Sequence, residues 1–182
     1  MQSNNFELEI LNLNHASLLV KYYSTNKEHL NVWEQESSPD TFYSLKFQQN
    51  KIKESLDFIK KGQSMHFVML NKSKSQMIGV CDYTKIKDNK CWLGYSISKP
   101  FEGKNFMCEA LVLTNSYMYN NLGIEEIRAG IFPKNDRSIK LIKRLKFEYI
   151  SEKDELKIND EMRTYSTSIQ KLIRKSYIFI KK

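Results

Sequence analysis

Apolar and charged residues alternate in Phe6-Glu-Leu-Glu-Ile10, the pattern of a half-buried strand. The period then lengthens. Asn12 or Asn14 is placed to cap a helix beginning near His15, with Leu18, Leu19, Tyr22 and Tyr23 at helical spacing. A second helical piece is predicted over Lys27 to Trp33, followed by a loop, Glu34-Gln-Glu-Ser-Ser-Pro39. A longer helix is predicted from Asp40 or Thr41. Its stripe is Phe42, Leu45, Gln49, Ile52, Leu56 and Ile59, and Gly62 suits its C-terminal cap.

The middle of the chain switches to short apolar runs split by polar turns. Met65 to Leu70, Gln76 to Lys85 and Cys91 to Ile97 read as a three-strand antiparallel meander, with turns at Asn71 to Ser75 and Lys87 to Lys90. Gly79 inside the second strand signals a bulge or a close approach by another backbone. A helix follows from about Phe106, with Met107, Ala110, Leu111, Thr114 and Met118 on one face and Gly123 at its end. Then come a strand over Glu126 to Phe132, a helix capped by Asn135 or Asp136 with Ile139, Ile142 and Leu145 inward, and strands over Phe147 to Ile150 and Met162 to Ile169. The connection Glu152 to Asn159 is charged, and the tail after Gln170 fits either a short strand over Tyr177 to Ile180 or a packed end. This order of strands and helices argues for an α+β or mixed α/β fold in one domain spanning residues 1–182.

Composition adds exclusions. No apolar run approaches the roughly 20 residues that span a membrane, and Met1 to Asn5 lacks the basic and apolar regions of a signal peptide, so a cytoplasmic protein is expected. Cys81, Cys91 and Cys108 fit no CxxC spacing, and His15, His29 and His66 are scattered, which argues against metal. The net charge is +8, but 24 Lys and five Arg are spread along the chain without an aromatic-basic motif, so nucleic acid ranks last among partners.

The candidate chemistry centres on Pro100 to Ala110. A strand ends at Lys99-Pro100, a turn carries Gly103 and Asn105, and a helix starts. Residues tolerant of positive φ followed by a helix N-terminus aim several N–H groups into one concavity, which suits a phosphate. A plain strand-to-helix connection is the other reading.

Leu93-Gly-Tyr-Ser-Ile97, Gly103-Lys104, Glu109-Ala110 and Asn135-x-x-Ser138 with Leu145-Lys-Phe147 together resemble the GNAT superfamily of acyl-CoA-dependent N-acyltransferases. The likeness is greatest to the subgroup containing the ribosomal-protein N-terminal acetyltransferases. The resemblance implies a mostly antiparallel sheet of six to seven strands with a V-shaped splay and helices on both faces. It implies acetyl-CoA as co-substrate. Tyr95, Ile97 and Ser98 would run beside the pantetheine arm. N–H groups of Gly103, Lys104, Asn105, Phe106 and Met107 would hold the pyrophosphate. Asn135 would touch the cofactor near its thiol, and Ser138 would be the catalytic acid that protonates the departing thiolate. Asn135 and Ser138 also fit a plain helix-capping pair. Two positions depart from the family pattern. Glu102 stands where Gln or Arg is usual and is expected to face solvent or pair with Lys99 or Lys104. Asn105 stands where glycine is usual.

The expected reaction is direct attack of a primary amine on the thioester, with an N–H around Ile97 donating to the carbonyl oxygen. By location, Glu34, Glu36, His66 and Asp82 are candidates for the proton acceptor, as is a water relay. The amine belongs to a protein N-terminus or to a small molecule such as a polyamine, amino sugar or aminoacyl conjugate. A non-catalytic acyl-CoA-binding module of the same fold is the rival from another class. The residues do not decide between monomer and homodimer.

Overall fold

The computed structural model describes residue 1 and residues 3–33, 39–151 and 163–168. The predicted loop at 34–38, the connection at 152–159 and the tail after Gln170 lie outside these residues. The chain forms two interleaved compact units, Met1–Asp82 with Tyr95–Ala110, and Tyr83–Gly94 with Leu111–Lys182.

In the first unit, β1 (Glu7–Ile10) pairs antiparallel with β2 (Met65–Leu70), with Glu7 opposite Leu70 and Ile10 opposite Phe67. Asn12 caps the entry to the helical region. Its side chain accepts from the Asn14 N–H, and His15 Nδ1 accepts the Asn12 N–H, a reciprocal capping box. Helices α1 (Ala16–Thr25) and α2 (Lys27–Asn31) follow, the second ending two residues before the expected Trp33.

The helix expected from Asp40 or Thr41 instead begins later, as α3 (Leu45–Lys60). Asp40–Tyr43 winds as a separate 3₁₀ turn. Ser44 is extended at ψ 147 and accepts the Phe47 N–H, so it is the cap that the sequence hid behind Asp40 and Thr41. The inward polar residue is accordingly Gln48, not Gln49. Gln48 is buried and donates to the Phe42 carbonyl at 2.7 Å. At the far end Gly62 takes φ +68, and the Gln63 N–H closes back on the Phe58 carbonyl.

The core of this unit gathers Leu19, Tyr22, Ile52, Val68, Leu70, Met77 and Val80. Burying a side chain such as Ile52 contributes about 1.5–3 kcal/mol. Side chains alternate along β3 (Met77–Lys87). Val80 packs with α1 and α3, whereas the next residue, Cys81, turns to the other face, where its Sγ lies 3.8 Å from Met107 Sδ in α4 (Phe106–Leu122). Helices therefore cover both faces of this part of the sheet.

In the second unit, β4 (Lys90–Ile97) starts after a tight hairpin turn in which Asp88 and Asn89 both take positive φ, the conformation a two-residue hairpin demands. β4 runs parallel to β5 (Glu126–Ile131), with Lys90–Trp92 in register with Glu126–Arg128. α5 (Asp136–Arg144) leads to β6 (Glu148–Ser151), and β7 (Arg163–Ser168) pairs antiparallel with both β5 and β6. Among the described residues, hydrogen bonding orders seven strands β1-β2-β3-β4-β5-β7-β6. The α+β class and its mixed sheet are as expected. Among the described residues no helix is long and apolar enough to cross a membrane.

Candidate active site

The last residues of β4 set the geometry of the loop. The Ser98 N–H donates to the Ile78 carbonyl at 2.9 Å, so Ser98 faces β3. Backbone groups of successive strand residues point to opposite edges. Ser96 therefore also faces β3, while the N–H and C=O of Tyr95 and Ile97 point out along the other edge of β4. Ser98 is spent structurally: its carbonyl accepts the Phe101 N–H, and its hydroxyl accepts from Asn26.

Gly79 makes room for this edge. A Cβ there would lie 2.8 Å from the Ser96 carbonyl oxygen and 3.0 Å from Met69 Sδ. The expected close approach is thus real, and the approaching backbone is β4.

After Ser98 a 3₁₀ turn, Lys99–Phe101, carries the chain into the loop. Gly103 takes φ +72 and Asn105 φ +65. Asn105 occupies the left-handed conformation that a glycine would otherwise supply, the one non-glycine substitution that costs least there. Its carbonyl accepts the Glu109 N–H and so opens α4. The first-turn N–H groups of Phe106 and Met107 have no carbonyl one turn back to bond. They point out of the helix N-terminus with its partial positive charge. Their side chains do other work. Met107 is buried against Cys81, and the Phe106 ring lies between Phe101 and Phe6, 6.2 and 5.8 Å between centroids. Lys104 Nζ sits 5.4 Å from the Phe101 ring centroid.

The loop is tied down by a row of residues that sequence reasoning missed. Tyr22 Oη lies 2.8 Å from Ser96 Oγ. Asn26 Nδ2 donates to Ser98 Oγ at 2.9 Å, and Asn26 Oδ1 accepts the Lys99 N–H at 3.2 Å. His29 Nε2 lies 3.3 Å from Glu102 Oε1. Tyr22 lies on α1, Asn26 at the junction of α1 and α2 and His29 on α2, and the three meet successive positions of the extended chain from Ser96 to Glu102. The sequence did hold a signal. A polar Asn26 and His29 continue the spacing of apolar α1, where a purely structural ridge would carry aliphatic residues. Glu102 was expected to face solvent or pair with Lys99 or Lys104; the structure gives it His29, because α2 brings an imidazole over the loop.

A second polar cluster lies on the α1 and α3 face of the sheet. His66 Nδ1 is 2.7 Å from Asp82 Oδ1, and His66 Nε2 is 3.0 Å from Ser64 Oγ. The structure thus joins two of the four proton-acceptor candidates. Glu34 and Glu36 lie outside the described residues.

In the second unit, Asn135 caps α5. Its side chain accepts the Ser138 N–H at 3.1 Å, and its own N–H donates to the Phe132 carbonyl. The pair is brought together as a capping motif. Leu145-Lys-Phe147 closes the same helix. Lys146 takes φ +66, and the Phe147 N–H returns to the Ile142 carbonyl. Burial pushes the Cys91 thiol up to about 12, which removes it as a nucleophile. Among the described residues no cluster of metal-ligating side chains occurs.

Residues 8–148 match the model of the acetyltransferase (GNAT) domain. The chain belongs to the GNAT acetyltransferase family. It is 32% identical over 133 residues to the [ribosomal protein uS5]-alanine N-acetyltransferase of Escherichia coli, covering 71% of this chain and 68% of that protein. In fold it is similar to the ribosomal-protein-S5-alanine acetyltransferase of Vibrio fischeri, with a TM-score of 0.84 at 22% identity over 92% of this chain and 95% of that one. It is also similar to Mycobacterium smegmatis RimJ in complex with CoA-disulfide, with a TM-score of 0.80 at 13% identity over 95% and 93% of the two chains. The protein is therefore an acyltransferase that acts on an amine.

Proposed function

We propose that this GNAT acyltransferase moves an acetyl group from acetyl-CoA to the α-amino group of a protein N-terminus. The observation that carries the reading is the loop Gly103–Met107, with two left-handed residues feeding a helix N-terminus beside a strand edge formed by Tyr95 and Ile97. Similarity to an alanine N-acetyltransferase supports the acceptor class.

Acetyl-CoA supplies the thioester carbonyl that the amine attacks. N–H groups of Gly103, Lys104, Asn105, Phe106 and Met107 would hold its pyrophosphate, with Lys104 adding charge. The outward edge of Tyr95 and Ile97 would align the pantetheine arm, and the Ile97 N–H would stabilise charge on the carbonyl oxygen. Asn135 would contribute its amide nitrogen near the sulfur. Ser138 would return a proton to the departing thiolate. Three free cysteines fit a reducing compartment, and we place the enzyme in the cytoplasm.

The test is thiol release from acetyl-CoA with a peptide beginning in alanine, with spermidine and with an amino sugar, followed by mass spectrometry of the products. Acetylation confined to the peptide α-amine supports the reading. Turnover of the small amines alone moves the acceptor to that class. Tight acetyl-CoA binding with no turnover of any amine favours a non-catalytic module, a reading for which the acidic Glu102 in the loop is the motivation.

A further inference from the structure

The chain Ser64–His66–Asp82 is built in a way that a packing histidine does not need. Both ring nitrogens of His66 are engaged, Nδ1 by Asp82 at 2.7 Å and Nε2 by Ser64 at 3.0 Å. A hydroxyl can donate or accept. Ser64 can therefore serve a neutral or a protonated ring without any heavy atom moving. Access falls along the chain: the Asp82 side chain is 39% exposed, that of His66 14%, and Ser64 is buried. One carboxylate is thus presented outward and held from behind by an imidazole.

The position also fits. Strand alternation places His66 with Val68 and Leu70, and Asp82 with Val80, all on the face covered by α1 and α3. Asp82 is four residues along β3 from Ile78, the partner of Ser98. At about 3.3 Å per residue that is roughly 13 Å from the start of the phosphate loop. A ligand anchored at Gly103–Met107 and running back along β4 past Ile97 and Tyr95 carries its reactive end in this direction.

We propose that Asp82 is a catalytic residue that binds the acceptor ammonium and removes its proton, with His66 and Ser64 as the positioning pair behind it. This rests on the acetyl-transfer reading above. An ammonium has three protons, and the amide product keeps one. Asp82 takes the first before attack and releases it to water from its exposed side, held in place by His66. The second passes from the nitrogen to Asp82, free again, as the C–N bond forms and the C–S bond breaks. The thiolate receives one proton from Ser138 or water, so one proton per turnover reaches solvent.

Among the described residues, the other charged groups on the elements packed against this face are paired or exposed, Lys21 on α1 and Lys46 and Lys53 on α3 being exposed. On β1, Glu9 is engaged by His15 and Lys74. On α3, the pairs Lys51–Glu54 and Lys60–Asp57 are exposed, while Ile52 is turned inward. On α1, Leu19 and Tyr22 face the sheet.

The test uses the full chain, acetyl-CoA and the alanine-initiated peptide, spermidine and amino-sugar probes. Asp82→Asn should lower kcat/KM for the amine by about 10²-fold or more and leave its rise with pH to follow the free amine alone, with the KM for acetyl-CoA unchanged. His66→Gln should lower the rate less and displace the same rise, and Asp82→Glu should recover part of the activity. Wild-type turnover and pH profile in folded Asp82→Asn overturn the proposal. If Asp82→Asn does not fold, an unmoved profile in His66→Gln overturns it equally. A wild-type chain that binds acetyl-CoA but turns over no probe overturns the acetyl-transfer reading itself, a different outcome from an active wild type with an active Asp82→Asn.

Discussion

Glu102 in the candidate phosphate loop is paired with His29 of α2, Oε1 to Nε2 at 3.3 Å, with 25% and 18% of the side chains exposed. An acid at this point opposes bound phosphates, and engaging its carboxylate with the imidazole offsets that opposition. His29→Ala should therefore weaken acetyl-CoA binding, by about fivefold for a pair worth about 1 kcal/mol. Glu102→Gln should bind at least as well as wild type, and His29→Ala combined with Glu102→Gln should regain the loss. Calorimetric titration of the four proteins with acetyl-CoA checks this. A double variant as weak as His29→Ala alone would mean that His29 acts through packing.

Much of this loop was legible in the sequence, and the reasons are local. Asn105 and Gly103 announce left-handed backbone whatever surrounds them, and the strand and helix on either side follow from periodicity. The His29–Glu102 pair was not legible, because it depends on how α2 crosses the loop, 73 residues away in sequence. The same holds for the join between His66 and Asp82. Each residue lies in a strand that periodicity identifies, but their contact depends on strand register. The start of α3 was misread for a different reason: Asp40, Thr41 and Ser44 all have capping side chains, and only backbone geometry shows that Ser44 is the one used. Asn135 and Ser138 were legible both as a motif and as a capping pair, because the cap is local in sequence, and the structure forms that cap.

Gly79→Ala should destabilise the fold and loosen β4 together. The added Cβ would meet a backbone oxygen at 2.8 Å, and backbone yields less readily than a flexible side chain. Overpacking of this kind costs about 1–3 kcal/mol. The expected result is a lower urea midpoint with acetyl-CoA affinity reduced at the same time. An unchanged midpoint would show that Ser96 moves aside freely.

The left-handed Asn105 separates conformation from charge. Asn105→Gly keeps φ +65 accessible and should leave acetyl-CoA affinity within about twofold of wild type. Asn105→Asp keeps the shape but puts a carboxylate beside the phosphates, and should weaken binding severalfold at low salt, less at high salt. Equal affinity in Asn105→Asp and wild type at low ionic strength would remove this loop as the phosphate cradle.

Glu9 gives a prediction in pH. The Lys74 ammonium, hydrogen-bonded to it at 2.8 Å, lowers its pKa below the ordinary 4.5, with His15 adding to the effect against a partial desolvation penalty. A depressed carboxylate stabilises the fold above its unfolded pKa and loses that contribution as pH falls through the folded value. Glu9→Gln should therefore be less stable than wild type at pH 7, by no more than about 1 kcal/mol for so exposed a pair, with the gap closing towards pH 3. Urea unfolding of both proteins at the two pH values measures it. A gap that persists at pH 3 would assign the loss to packing.

Ser138→Ala decides between the two uses of the Asn135–Ser138 pair. The cap runs from the Ser138 backbone N–H to the Asn135 side chain, and alanine retains that N–H. The substitution therefore leaves the cap in place and removes only the hydroxyl. If that hydroxyl protonates the departing thiolate, kcat should fall by about 10²-fold or more while the KM for acetyl-CoA holds. The loss should shrink for an acyl donor whose leaving thiol is more acidic, since such a thiolate needs less help to depart. Asn135→Ala gives the contrast: it deletes the cap, costs about 1 kcal/mol of stability and should raise the KM for acetyl-CoA as well. A Ser138→Ala enzyme with wild-type kcat, and no dependence on the leaving thiol, would leave Ser138 with its backbone role alone.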